Sequence, residues 1–575
     1  MNFASILHRP NTLDCHALDE HRFCIRLQTA RSDAISVAIH VCDKYHVRIS
    51  DTPFEKAILR TPMKKVASTE LYDFYELIIF QDVICFCYFF EIKDSNKKTY
   101  YYGNGQFHTK FITQIQNMYI CAQQSRFEER LIVPSWAKGA IGYQIFPDSF
   151  SRLSEQQKAF SDWEKAPRQS NNVLGGELNG VTAHLEYLKE LGVDFIYLNP
   201  IFTSPSPHKY NTYDYFKIDR QFGTKKDLQL LVKKAHKLGL KVILDGVFNH
   251  VGTGFFAFQD VKKKQEKSPY KDWFYIEEYP LRSEYKERPN FQTFSYFGNM
   301  PKLNTHNPEV QEYIFSVVRY WMKVAKIDGW RLDVGDEISH SFWKKFRHVV
   351  KEINPNALIV GEIWYPATSF LQGDEWDSVM NYPFLDAITS WIGKKETKVS
   401  EFADSITMIR MHYPLVAKDS LWNMIDSHDT PRFISYGSIL DAKLAFALQI
   451  TLPGSPMIYY GDEVGLNGGQ DPDNRRGMLW NERQNKELLQ FYQQWIQLRK
   501  KHDVLRYGDI KIIETFNRFQ VLIFSRYIEK EEIKIVVNAS DKLQNNPVQG
   551  IDLLTNQKTK NFIPPKTVLV IKEAK

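Results

Sequence analysis

The sequence predicts an α/β protein: a (β/α)8 TIM barrel preceded by a β-sandwich, interrupted by an inserted subdomain after its third strand and followed by an antiparallel β domain. Three observations carry that expectation. Between about residues 130 and 500, short apolar runs alternate with helical patterns. Two of the segments there run helix, glycine stop and buried strand in direct succession, the plan of parallel strands with crossover helices. Both ends of the chain show short strands with polar turns instead.

Taken in order, ISVAIHV (35–41), LYDFYELIIF (71–80) and VICFCYFFEI (83–92) read as strands of an N-terminal β-sandwich over residues 1–125. The barrel is expected over 126–500 and opens with IGYQIF (141–146). HLEYLKELGVDFIYLNP sets Leu185 and Leu188 on one helical face, stops at Gly192 and continues into the strand VDFIYL. KKDLQLLVKKAHKLGLKVILDGVF repeats the plan with Leu228, Leu231, Val232 and Ala235, a stop at Gly239 and the strand KVILDGV. GWRLDV (329–334), ALIVGEI (357–363), SVMNY (378–382), LWNMID (421–426) and MIYYG (457–461) complete eight strands, the number that closes such a barrel. Residues 251–304 are too many for an ordinary connection and rich in aromatic and charged groups, so they read as an inserted subdomain that shapes a cleft. FQVLIFSRY and IKIVVNAS then predict a C-terminal antiparallel β-sandwich domain over 501–575.

A chain of 575 residues with 43% hydrophobic content can bury a large core. Its net charge of +6 is mild, and its longest basic run, Lys262 to Lys264, reads as a solvated loop or helix face, so no nucleic-acid partner is expected. No apolar stretch is long enough for a membrane span. Met1 to Ala30 lacks the features of a secretory leader, so a cytoplasmic location is expected. The six cysteines lie in the first fifth of the chain without a Cys-x-x-Cys pair, and Cys85 and Cys87 alternate within an apolar strand, which predicts buried thiols and no metal.

Three strings bring carboxylates to strand ends, where barrel enzymes gather their chemistry. Asp333 in GWRLDV lies two residues beyond Arg331, so both side chains share a face and the guanidinium is expected to keep the carboxylate ionised. That suits a nucleophile. Glu362 in GEIW is flanked by Ile363 and Trp364, surroundings expected to raise its pKa and suit a general acid and base. Asp429 follows His428 in SHDTPRF and is placed to hold sugar hydroxyls while charge builds on the ring. Retaining cleavage of a glycosidic bond needs such a pair about 5–5.5 Å apart.

DGVFNH (245–250), GWRLDV, GEIW and SHD resemble the four short motifs of the α-amylase family, glycoside hydrolase family thirteen. The resemblance implies Asp333 as nucleophile, Glu362 as acid and base and Asp429 as transition-state stabiliser. It also implies substrate-binding roles for His208, Tyr210, Asn249, His250, Arg331, Glu337, His428, Asp471 and Arg475. Among these, Tyr210 in HKYNTYDY would be the aromatic platform, Asn249 a support for a strand-end loop and Glu337 a wall of the acceptor side.

MPKLN (300–304), with YLNPIF and GGQDPDNRR, is similar to the string of the neopullulanase, cyclomaltodextrinase and maltogenic amylase group. That implies α-1,4 cleavage in cyclodextrins, pullulan and malto-oligosaccharides, with transglycosylation. It further implies a starch-binding-module-like N-terminal domain and a homodimer in which that module covers the partner's site. The alternatives are an α-glucosidase on short α-1,6-linked oligosaccharides and a non-catalytic glucan-binding barrel. FPDSF puts Ser149 where the family often has Arg, SRLSEQQKAF lacks the Asn and Asp residues that bind calcium in relatives, and Glu177 replaces the commoner Asp. No cofactor is expected and no metal ligand is assigned; calcium stays open, without its usual ligand pattern. Gly335-Asp336-Glu337 stands in place of Ala-Asn-Glu, adding a charge at Asp336.

Overall fold

The computed structural model describes residues 1–10, 13–46, 50–153, 163, 172–283 and 287–573. Its centre is a closed barrel of eight parallel strands: β1 Gly142–Ile145, β2 Phe195–Leu198, β3 Lys241–Gly246, β4 Gly329–Leu332, β5 Leu358–Gly361, β6 Ser378–Asn381, β7 Trp422–Met424 and β8 Ser455–Tyr459. Closure is direct, since Gly142 pairs with Phe195 on one side and Met457 on the other. Apart from Lys241 every residue of these strands is buried, because side chains fill the barrel inside and helices cover it outside. That is why the strands read as continuous apolar runs rather than alternating ones.

The two helix-to-strand units fold as their pattern predicts. Leu228, Leu231, Val232 and Ala235 form the buried face of the helix Lys225–Lys237. The helix Leu185–Leu191 buries Leu185, Leu188 and Leu191, then stops where Gly192 turns left-handed at φ 99°. Gly361 answers a different need, because a Cβ there would meet the Trp376 ring at 2.2 Å.

Before the barrel lies a sandwich of a four-stranded and a six-stranded antiparallel sheet, with Phe23, Ile25 and Leu27 of one facing Phe86, Tyr88 and Phe90 of the other in one core. All six cysteines are buried and none is in a disulfide. After the barrel, strands from Asp509–Phe516 to Thr567–Lys572 form a six-stranded antiparallel sheet. The segment 251–304 leaves β3 through the helix Phe256–Lys264 and returns onto the barrel, where Val251 N donates to Pro301 O (3.0 Å) and Leu303 N to Asn249 O (2.9 Å). MPKLN is thereby laid against the end of DGVFNH. No helix among the described residues is long and apolar enough to cross a membrane.

A chain of charges ties the three parts together. Arg26 Nε donates to Glu76 Oε2 (2.8 Å) within the N-terminal sandwich, and Arg410 on the barrel helix Val399–Met411 reaches both Glu76 Oε1 (3.1 Å) and Asp509 Oδ1 (2.8 Å) of the C-terminal sheet. Burial pushes the Glu76 carboxyl up, but Arg410 and Arg26 outweigh it and bring it from 4.5 down to about 2. Removing Arg410 leaves two carboxylates without their shared partner, so Arg410→Ala should cost about 3–5 kcal/mol of stability at neutral pH. Because the folded-state pKa of Glu76 is depressed, the contribution is present above pH 4.5 and disappears as pH falls toward 2. Melting temperatures of the two proteins should differ at pH 7 and converge through that window.

Candidate active site

Barrel register alone brings the first four groups together. Asp245 of β3 pairs with Arg331 of β4, which pairs with Val360 of β5, while Asp333 and Glu362 lie one residue beyond β4 and β5. The Arg331 side chain is fully buried. Its Nη1 donates to Asp333 Oδ1 (2.8 Å) and to Asp245 Oδ1 (3.1 Å), and its Nη2 lies 2.8 Å from Glu362 Oε2. Asp333 Oδ2 is buried without a hydrogen-bond partner.

Immediately after Asp333 the backbone of Val334 is left-handed, at φ 48°. For a β-branched residue this conformation costs roughly 1–3 kcal/mol. It turns the Val334 N–H onto Glu362 Oε2 (3.0 Å), and Gly335 N donates to Glu362 O (3.1 Å). The strained corner therefore clamps Glu362 beside Asp333. Its flank differs from the apolar one expected: Ile363 is buried, but Trp364 is half exposed and donates its indole N–H to Glu362 Oε1 (3.2 Å).

The electrostatics correct the expectation for Asp333. Burial pushes its carboxyl well above the usual range, Glu362 and Asp245 push the same way, and Arg331 only opposes them. Burial likewise raises Asp245 to about 6 against Arg331. Burial raises both Asp333 and Asp245 against the one guanidinium they share, so Arg331 does not by itself keep Asp333 ionised.

Above this group opens a cavity of about 590 Å³ lined by His208, Tyr210, His250, Asp333, Glu362, Asp429, Asp471 and Arg475, all anticipated from the sequence. Burial holds His208 and His250 down to about 3, so both are neutral hydrogen-bonding groups. Arg475 spans one wall, with Nη2 3.4 Å from Asp429 Oδ1, Nη1 2.9 Å from Asp471 Oδ1 and Nε donating to His428 O (3.0 Å). Burial raises the Asp429 carboxyl against Arg475 and Arg331. The neighbouring Asn474 pins the SHD loop by donating to His428 O (2.8 Å) and Thr430 O (2.9 Å).

Arg331, His428 and Asn249 lie outside the lining, and each is buried. His428 stacks on Tyr210, with ring centroids 5.5 Å apart, and its Nε2 is 3.1 Å from Asp429 Oδ2. Glu337 is also absent from the lining; it sits at the rim, accepting from Asn249 Nδ2 (3.1 Å) and Lys302 Nζ (2.6 Å), while Asp336 faces the cavity. Sequence reasoning passed over Asp245, although it ends a strand just as Asp333 does. It also passed over Phe294, which stacks on His250 at 4.9 Å, and Phe297, whose segment carries no periodic pattern.

Residues 144–482 match the family model for the alpha amylase catalytic domain, and residues 1–123 match that for the alpha amylase N-terminal ig-like domain. The chain is 38% identical to a cyclomaltodextrinase of Geobacillus thermopakistaniensis, over 95% of this chain and 93% of that protein. It is 39% identical to neopullulanase 2 of Thermoactinomyces vulgaris, over 94% and 91% respectively. A solved structure of a cyclomaltodextrinase aligns over the whole of both chains with a TM-score of 0.93 and 34% identity.

The loop after β1 is where calcium would be sought. There Asp148 accepts from Leu174 N (3.0 Å), Gly175 N (2.9 Å) and Gln221 Nε2, while Glu177 Oε1 accepts from Leu153 N (2.8 Å). Oxygens facing N–H donors do not converge on a cation, which needs six or more oxygen ligands. Residues 154–160 of SRLSEQQKAF lie outside the described residues. Among the described residues no group of three or more His, Cys, Asp or Glu side chains is placed to hold a metal. The described residues of this loop do not fit the ion. EDTA should therefore leave the melting temperature unchanged and calcium titration should release no binding heat; a saturable rise in melting temperature with calcium would contradict this.

Proposed function

The chain belongs to the α-amylase family, and on that premise we propose that Asp333, Glu362 and Asp429 carry out retaining cleavage of α-1,4-glucosidic bonds in cyclodextrins, pullulan and malto-oligosaccharides, with transfer to sugar acceptors. The protein is a glycosidase of that family. The observation that supports the role assignment is the guanidinium of Arg331, which holds Asp333 and Glu362 side by side at the floor of one cavity.

In the first step the free Oδ2 of Asp333 attacks the anomeric carbon while Oδ1 stays on Arg331. Glu362 gives its proton to the departing glycosidic oxygen, the carbon–oxygen bond breaks and a glycosyl ester forms on Asp333. Glu362, now ionised, takes a proton from water, which attacks the same carbon and releases Asp333. A sugar hydroxyl in place of water gives transfer. The reactive state needs a proton on Glu362 and the charge on Asp333. Arg331 Nη1 makes aligned bonds to Asp333 and Asp245, whereas Nη2 approaches Glu362 without one, and Glu362 accepts instead from Val334 N and Trp364 Nε1. Asp429 binds ring hydroxyls as positive charge builds, and neutral His250 and His428 serve hydroxyls without adding positive charge.

We assign the N-terminal sandwich as a starch-binding-module-like domain that covers a partner's cavity in a homodimer, a reading to which Phe80 (66% exposed) and Ile84 (82% exposed) on that domain lend apolar surface. Six buried unpaired thiols suit a reducing cytoplasm.

Asp333→Asn should lower kcat on β-cyclodextrin and pullulan by about 10⁴-fold or more with circular dichroism unchanged; appreciable turnover would refute the nucleophile. Glu362→Gln should keep much of its rate of glycosylation on substrates with good leaving groups, which do not need the acid. An equal loss on all substrates would exclude that role. Turnover of isomaltose in preference to β-cyclodextrin and pullulan would overturn the proposed specificity.

A further inference from the structure

We propose that Gln144 and Asn199 are positioning residues that lock His428 into the tautomer with its proton on Nε2, so that the imidazole presents an N–H donor to Asp429 and the bound sugar. The inference rests on the site assignment above but reaches residues outside the cavity wall. Gln144 is fully buried in β1, in a run that is otherwise apolar, and its Oε1 has no partner. An unsatisfied buried amide group costs about 1–3 kcal/mol, so stability alone would favour an apolar side chain at that position.

What Gln144 touches supplies a reason. Gln144 lies beside Tyr197 in the β1–β2 register, and Asn199 follows directly after β2. The direction of every bond in this group can be assigned from the ionised carboxylate of Asp245, which only accepts. Tyr197 OH lies 2.5 Å and Tyr210 OH 3.1 Å from Asp245 Oδ2, so both hydroxyls donate there. With their protons used, both oxygens accept from Asn199 Nδ2, at 3.3 and 2.9 Å. The Asn199 amide is thereby oriented, and its Oδ1 faces Gln144 Nε2 at 3.0 Å. The same Gln144 nitrogen lies 2.7 Å from His428 Nδ1 and has a second hydrogen to give. His428 Nδ1 must therefore be unprotonated. Its proton sits on Nε2, 3.1 Å from Asp429 Oδ2 and in contact with Tyr210 OH, whose own proton is engaged by Asp245.

The reverse arrangement fails on a count of protons. Flipping both amides would turn Asn199 Oδ1 toward Tyr197 and Tyr210, and each hydroxyl would then need protons for Asp245 and for Asn199 at once. The ring also carries one proton rather than two, because burial, with Arg475 and Arg331 nearby, pushes its pKa well below the usual imidazole range. Arg331 Nη1 meets both oxygens of Asp245 at 3.1 Å, which favours the ionised carboxylate and sets the polarity.

The test is nitrogen-detected NMR of the full chain labelled with ¹⁵N-histidine, with the His428 signals identified by their loss in His428→Asn. Unliganded wild type should show Nδ1 in the unprotonated shift range and Nε2 in the protonated range at pH 7. A protonated Nδ1 there overturns the proposal without any variant. Gln144→Glu, equal in size, replaces the donor by an acceptor and should protonate Nδ1 and lower kcat on β-cyclodextrin by roughly 10- to 100-fold, with a smaller change in KM. An Nδ1 shift with unchanged kcat would refute the positioning role while leaving the assigned tautomer intact. Failure of the glycosidase reading is separable, since wild type would then turn over none of the glucans and yet show the assigned tautomer.

Discussion

Everything at the barrel mouth is arranged around one buried guanidinium. Arg331 cannot lose its charge, is sealed from solvent, and is met by carboxyl groups from three successive strands, Asp245, Asp333 and Glu362. Burying such a set contributes little net stability, because desolvation offsets the attraction. What it contributes is position. Asp245 and Glu362 are held on both oxygens and Asp333 on one, leaving Asp333 Oδ2 without a partner at the cavity floor. The constraint is inherited from barrel closure, since only the parallel register places Asp245 opposite Arg331 and Arg331 opposite Val360.

Much of this was legible in the sequence, for reasons that also explain what was not. Strands covered on both faces must be short apolar runs, and all eight anticipated runs are the strands of the barrel. Their ends are trimmed where side chains take over from the ladder: LWNMID is paired only from Trp422 to Met424, and Asp426 instead accepts from Phe433 N. The carboxylates Asp333, Glu362 and Asp429 were visible because each follows such a run. A two-residue spacing revealed that Arg331 and Asp333 face the same way, but not that Asp245 and Glu362 compete for the same cation. Nor could local pattern show which of Asp336 and Glu337 faces the cavity, because that depends on the left-handed turn at Val334.

Val334 also shows how the motifs depend on one another. Its strained backbone would relax if it were not held by hydrogen bonds from its own and the next N–H to Glu362, so GWRLDV keeps its geometry only in the presence of GEIW. GEIW in turn needs Gly361, since any larger residue would collide with Trp376. The inserted segment adds a third dependence. MPKLN returns beside Asn249 and His250, and its Lys302 meets Glu337 at the rim, so strand-end loops far apart in the chain are fixed against each other. Strings that look like separate signatures in the sequence are parts of one packed object.

The same buried charge governs the hydrogen-bond donors that would face a sugar. Hydroxyl recognition needs groups of known polarity, and a neutral imidazole or a tyrosine hydroxyl has no fixed polarity of its own. In this fold the polarity is imposed from below. Asp245 commits Tyr197 and Tyr210 as donors, they commit Asn199, and through Gln144 the order reaches His428 beside Asp429. Because Asp245 is also bound to Arg331, the charge that positions the proposed nucleophile and the charge that orients the donors are one interaction. A change at Asp245 would therefore disturb both substrate alignment and proton distribution, although Asp245 itself lines none of the cavity.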